Sequence, residues 1–147
     1  MQPRDVVLVA FPRIQGLDLI GPAEVFAAAN DQLGAPAYRL HVVAASAGPL
    51  ATSSGIALTV DQRIADVEGP VDTIVVAGGD GTGEAVVDEH LVREVHRLAA
   101  SARRVTSVCS GAFVLAQAGL LDGRSATTHW SVCDLLAELY PAVTVEP

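Results

Sequence analysis

The sequence predicts an α/β fold built on a mainly parallel, doubly wound sheet. Short apolar runs rich in β-branched residues alternate with segments of helical character along the chain, as in successive β–α–β units. Half of the 147 residues are hydrophobic but only 4% are aromatic, which favours a core of small branched side chains between a sheet and helices. A chain of this length is enough for one domain and too short for two ordinary ones.

The first half of the chain begins with a buried strand. Residues 5–10 are apolar after Asp5 and rich in β-branched side chains, a pattern typical of a central parallel strand that is covered on both faces. A helix is expected over residues 19–33, with Pro22 in its first turn. A second strand is expected over residues 38–45, and residues 52–60 have the pattern of a short hairpin.

The second half continues the alternation. Residues 72–77 form another apolar strand, followed by a glycine-rich loop at 78–83 and a helix over residues 84–101. A strand at 104–108 leads directly into a helix that starts at Ser110, so the residue between them stands at a strand-to-helix junction. The last elements expected are an extended segment at 124–128, a helix at 131–140 and the start of a strand at 143–145.

Charge and cysteine content restrict the possible functions. Nine basic against seventeen acidic residues give a formal net charge of −8, so these residues alone are not expected to bind DNA. Cys109 and Cys133 lie far apart and suggest no disulfide framework, which predicts free thiols in a reducing compartment. The first apolar run is too short for a signal sequence or a membrane span, so the expected location is the cytoplasm.

Cys109 is the first candidate for chemistry. It is expected between a strand and a helix N terminus, where free backbone amides and the helix dipole stabilise a thiolate. The alternative is a buried structural thiol, which is the usual role of an isolated cysteine. The sharp turn Val-Cys-Ser-Gly favours the exposed, functional thiol.

The glycine-rich loop is expected at the same edge of the sheet as Cys109, because the carboxyl ends of parallel strands meet there. The loop at Gly78, Gly79 and Asp80, together with the Ser110 amide, is suited to hold an oxyanion or a carboxylate. The alternatives are a plain glycine turn and a nucleotide phosphate loop. The spacing does not match the dinucleotide-binding pattern, which argues against the nucleotide.

Asp18 and His129 are the remaining candidates. Asp18 follows the first strand, where it can share a hydrogen bond with Cys109, cap the next helix, or do both. His129 is expected at another strand-to-helix junction, as either a base or a packing residue. With Cys133 it supplies only two ligands, too few for zinc, and neither a metal nor another cofactor is expected.

Four segments of the chain resemble the GlxA-type members of the AraC family of transcriptional regulators. They are Asp-Leu-Ile-Gly-Pro-Ala-Glu-Val-Phe at 18–26, Val-Ala-Gly-Gly-Asp-Gly at 76–81, the run 109–130 ending in Thr-His-Trp, and Leu-Tyr-Pro-Ala-Val at 139–143. That group resembles the PfpI/ThiJ superfamily and the class I glutamine amidotransferases. The resemblance implies a flavodoxin-like three-layer α/β/α sandwich, a homodimer, and a sensing domain over residues 1–147 that is incomplete at its C terminus. It also places a DNA-binding helix-turn-helix domain beyond Pro147.

The resemblance implies a domain that senses a small molecule, with the ligand beside Cys109, Asp18 and the glycine loop. The alternative is a cysteine-dependent hydrolase or hydratase of the amidase or isonitrile hydratase type, since isonitrile hydratases are similar at Asp18, Cys109 and the Thr-His-Trp segment. In that reaction Cys109 attacks an electrophilic carbon while the Gly79 and Ser110 amides hold the anion. Ser110 replaces the histidine that hydrolases of the superfamily often carry there, which argues against peptidase chemistry. A third hypothesis is peroxide sensing by Cys109.

Overall fold

The fold is built on a parallel sheet. In the computed structural model, which describes residues 2–147, the strands are β1 (Arg4–Val9), β2 (Tyr38–Ala44), β3 (Gly48–Ala51), β4 (Ala57–Val60), β5 (Gln62–Arg63), β6 (Thr73–Val76), β7 (Arg104–Ser107), β8 (Ser125–Ala126) and β9 (Thr144–Val145). The helices are α1 (Gly16–Leu33), α2 (Thr82–Val87), α3 (Glu89–Ala99), α4 (Ala112–Gln117) and α5 (Cys133–Leu139). The main sheet has the order β5-β2-β1-β6-β7, and each neighbouring pair in it is parallel. This confirms the predicted α/β class.

The central position of β1 follows from its side chains. Val6, Val7 and Val9 have no exposed surface, so both faces of the strand are covered. Such β-branched residues favour extended backbone and pack well on a pleated surface. Because β1, β6 and β7 are parallel neighbours, the loops that follow them meet at one edge of the sheet.

Two helices differ from the prediction. Helix α1 starts at Gly16, three residues before the expected position, so Pro22 lies in its second turn and not in its first. The helix expected over residues 84–101 is divided into α2 and α3 at Asp88. The Asp88 carboxylate accepts hydrogen bonds from the amides of His90 and Leu91, both at 3.1 Å, and so caps α3. This N-cap ends one helix and starts the next.

The smaller elements also refine the prediction. The hairpin pairs β3 with β4, so its first arm precedes the expected residues 52–60. Strand β5 extends the sheet beside β2 and was not expected, while β8 and β9 form a short parallel pair. The helices expected from Ser110 and Ser131 each begin with a 3-10 turn, at Cys109–Gly111 and Trp130–Val132.

Buried side chains form two groups. The larger group surrounds the main sheet, and a second group joins α4 and α5 through Phe113, Leu136 and neighbouring residues. Phe113 and Tyr140 meet edge to face with ring centroids 6.3 Å apart. None of the helices within residues 2–147 has both the length and the apolar character needed to cross a membrane.

Candidate functional site

Cys109 stands at the turn between β7 and α4, as the sequence predicts. Its φ of 54° lies in the left-handed region, a strained conformation for a residue other than glycine. Thr128 Oγ1 donates a hydrogen bond to the Cys109 carbonyl oxygen at 3.0 Å and holds the turn. A Cβ atom on Gly111 would overlap the carbonyl oxygens of Val76 and Ala77. The turn is therefore packed directly onto the end of β6, and it leaves the cysteine partly exposed.

The glycine loop after β6 packs closely against this turn. A Cβ atom on Gly78 would lie 2.6 Å from the Ser110 amide nitrogen. Gly79 has a φ of 135°, and a Cβ atom there would overlap the Gln15 amide nitrogen. The two glycines are thus needed for close approach of the backbone, which makes the loop both a packed turn and one wall of the site.

The Ser110 hydroxyl accepts the hydrogen bond that the Gly79 amide donates. Gly79 N donates to Ser110 Oγ at 3.0 Å, and Thr82 Oγ1 donates to the Gly79 carbonyl oxygen at 2.8 Å. Ser110 Oγ also lies 2.8 Å from Thr82 Oγ1. Because the one hydroxyl proton of Thr82 is already committed, Ser110 accepts from Gly79 and donates to Thr82. The amide that the sequence suggests as an anion donor is therefore already hydrogen-bonded within the protein.

Thr82 is a site residue that the sequence analysis missed. It is buried, with 8% of its surface exposed, and it is the first residue of α2. A threonine directly after a glycine loop is most often explained by helix capping. The presence of a threonine at this position therefore does not predict a contact with Ser110. The contact depends on how closely the loop approaches the cysteine turn, which the sequence alone does not show.

Asp18 reaches the site and does not cap α1. The N-cap position of α1 is Gln15, which makes no side-chain capping bond, so the expected capping role is wrong. Asp18 Oδ2 instead accepts from Gly78 N at 3.3 Å. Burial raises the pKa of the Asp18 carboxyl, and the Gly78 amide, the Cys109 thiol and the charge of His129 lower this pKa by a smaller amount. Asp18 therefore lies close to Cys109.

His129 lines the site, and its Nδ1 atom is paired with a neighbouring serine. Its Nδ1 atom is 2.7 Å from Ser131 Oγ, and its ring lies beside that of Trp130 with centroids 5.4 Å apart. Cys133 is buried, and its Sγ atom lies 3.7 Å from the His129 carbonyl oxygen. Within residues 2–147, no group of three or more His, Cys, Asp or Glu side chains is placed to hold a metal ion.

A pocket of about 400 Å³ opens above Cys109 and Ser110. Its lining combines apolar side chains with polar groups, which suits a small organic ligand with a polar group. The lining residues are Gln15, Gly79, Asp80, Thr82, Gly83, Val86, Cys109, Ser110, Phe113, His129, Ser131, Val132 and Leu135. Neither Lys nor Arg is among these described lining residues, so the pocket offers no permanent positive charge.

Comparison with known proteins gives matches over nearly the whole chain. The model of the DJ-1/PfpI family matches residues 4–144. A Streptomyces lividans protein, described as an uncharacterized protein in the cpoL 5' region, is 45% identical over 95% of this chain and 97% of its own length. The isonitrile hydratase of Pseudomonas putida is 42% identical over 88% of this chain and 54% of the enzyme.

Regulators and solved structures are similar as well. The HTH-type transcriptional regulator GlxA of Rhizobium meliloti is 33% identical over 94% of this chain, which corresponds to 43% of the regulator. A crystal structure of a ThiJ/PfpI family protein from Pseudomonas syringae has a TM-score of 0.88 and 30% identity, and it covers all of this chain and 58% of that protein. The chain thus spans about half the length of the named enzyme and regulator.

Proposed function

The chain belongs to the DJ-1/PfpI family, and on this premise we propose that it is the small-molecule-sensing domain of an AraC-type regulator. The observation that carries this proposal is the pocket above Cys109, in which the Gly79 amide is already bonded to Ser110. Its volume lies within the range of small-molecule sites, about 300–1,000 Å³. The apolar lining residues supply binding energy, while the polar groups of Cys109, Asp80 and His129 orient the ligand.

The rest of the surface supports a sensing role. The formal charge of −8 opposes contact with DNA, so DNA would be bound by a separate helix-turn-helix domain. Helix α1 exposes Leu17, Val25 and Leu33, each to more than 60%, and this exposed apolar surface favours a homodimer formed through α1. Because Asp18 lies on the same helix, a ligand at Cys109 would act on the dimer through α1.

Binding in this pocket can be tested with a matched pair of substitutions on α5. Leu135 lines the pocket and is 45% exposed, whereas Leu139 lies one turn further along, is 55% exposed and does not line it. A panel of small amides, amines and alcohols is screened by ligand-observed NMR against the wild type, Leu135→Asp and Leu139→Asp. We expect the compounds that bind to be lost in Leu135→Asp and kept in Leu139→Asp. Equal binding by all three proteins would place the ligand elsewhere.

A second candidate function is isonitrile hydration. It is favoured by the effect of the Cys109 thiol on the pKa of Asp18, which requires the two side chains to lie close together, and by 42% identity to an isonitrile hydratase. The Cys109 thiolate would add to the terminal isonitrile carbon, and that carbon would take a proton from Asp18 to give a thioimidate. Water would then add to the carbon and displace the thiol, so that one isonitrile and one water give one N-substituted formamide.

This reaction has a direct assay. An aliphatic isonitrile is incubated with the wild type, Cys109→Ser and Asp18→Asn, and the formamide is measured by gas chromatography. Turnover that is lost in Cys109→Ser would establish the enzyme. If none of the three proteins forms the formamide faster than buffer without protein, sensing remains as the function of the pocket.

A further inference from the structure

The Ser110 side chain stands where the anionic group of a ligand would bind. Backbone amides beside a nucleophile normally bind an oxyanion or a carboxylate. Here the Gly79 amide donates to Ser110 Oγ at 3.0 Å, and the Ser110 hydroxyl in turn donates to Thr82 Oγ1 at 2.8 Å. Thr82 Oγ1 donates back to the Gly79 carbonyl oxygen at 2.8 Å, so the four groups close a ring. The amide is satisfied without any ligand.

The charges around the pocket also disfavour an anionic ligand. Asp80 carries the one carboxyl group among the described lining residues. The same lining contains neither Lys nor Arg to balance its charge. A carboxylate entering the pocket would lose its hydration and meet the acidic Asp80. It would gain the Gly79 amide only by displacing the Ser110 hydroxyl.

We propose that Ser110 determines the specificity of the pocket by closing its anion-binding corner, so that uncharged or cationic ligands are accepted and carboxylates are rejected. The inference rests on the proposed function of the pocket and names the chemical class of its ligand. Because the inference concerns the side chain of one residue, it can be tested separately from the existence of the pocket.

Two alkylating reagents measure this selectivity at Cys109 itself. Iodoacetamide and iodoacetate both react when the thiolate sulfur bonds to the methylene carbon and iodide leaves. They differ only in carrying a neutral amide or a carboxylate. The ratio of the iodoacetate rate to the iodoacetamide rate cancels any change in the thiolate fraction, because both reagents consume the same thiolate. Peptide mass spectrometry follows Cys109 separately from the buried Cys133.

Ser110→Ala frees the Gly79 amide and is expected to raise this ratio about tenfold, as a hydrogen bond to a charged group gains roughly one decade. Ser110→Thr keeps the hydroxyl and should keep the wild-type ratio. Ser101→Ala is the control, because Ser101 Oγ donates to the Leu98 carbonyl oxygen and Ser101 does not line the pocket. Its ratio should also match that of the wild type.

Two results would overturn the proposal in different ways. If Cys109 reacts but the ratio is unchanged in Ser110→Ala, Ser110 does not exclude anions, and the pocket still stands as a ligand site. If neither reagent modifies Cys109 in the folded wild type, the pocket is not open to small molecules. The proposed function then fails together with the inference.

Discussion

Replacing Gly78 by alanine should separate the glycine loop from the cysteine turn. The added Cβ atom would lie 2.6 Å from Ser110 N, 2.7 Å from Ser110 Oγ and 2.9 Å from Gly111 N. Two of these three atoms belong to the backbone and cannot rotate away. Overpacking of this kind costs about 1–3 kcal/mol. For a domain of this size the melting temperature should fall by about 2–12 °C.

Gly83→Ala is the matched control. Gly83 lies within α2, and a Cβ atom there would meet nothing within 4 Å. Its replacement should stabilise the helix by about 0.5–1 kcal/mol, since glycine is the less favourable residue there. Thermal unfolding and the rate of Cys109 alkylation are measured for both variants. If Gly78→Ala melts with the wild type and its Cys109 reacts unchanged, the loop does not support the site as described.

Three other substitutions test the fold and the site. Asp88→Ala removes the N-cap of α3 and should cost about 1 kcal/mol in urea unfolding, whereas Asp88→Asn should retain most of the stability. Because the Asp18 pKa is raised above 3.8, the stability given by its protonated form is full at low pH and is lost as pH rises. Asp18→Asn should therefore raise the melting temperature at pH 7 more than at pH 4. An equal effect at both pH values would contradict burial as the cause of the raised Asp18 pKa. Leu136→Ala opens a cavity in the core between α4 and α5 and should lower the free energy of unfolding by about 2–5 kcal/mol. Leu135→Ala should change it little, because Leu135 is half-exposed.

The sheet could be predicted from the sequence because its strands are buried on both faces. The continuous apolar run of β1 is the pattern of a central parallel strand, and it lies there with no exposed valine. The position of Cys109 followed from the same pattern, since its neighbours change from strand to helix at that point. Both predictions rest on local periodicity, which the sequence displays directly.

The missed features depend on contacts between distant segments or on single side chains. The start of α1 was placed too late because Asp18 and Pro22 both suggested a first turn at that point, whereas Asp18 bonds to Gly78, sixty residues away. The division at Asp88 comes from one carboxylate in an otherwise helical pattern. The Ser110 and Thr82 contact joins residues 28 positions apart. A local N-cap decided the division at Asp88, and tertiary packing decided the other two cases against local propensity.

The occupied Gly79 amide also distinguishes between the enzymatic alternatives. Amide hydrolysis passes through an oxyanion that requires amide donors, and Ser110 holds the Gly79 donor at 3.0 Å. When a thiolate adds to an isonitrile, charge develops on carbon and nitrogen, and an acid can neutralise it without an oxyanion hole. Burial raises the pKa of Asp18, so its protonated form is retained to higher pH beside Cys109. The geometry therefore argues against an amidase, while uncharged ligands suit both the sensor and the hydratase.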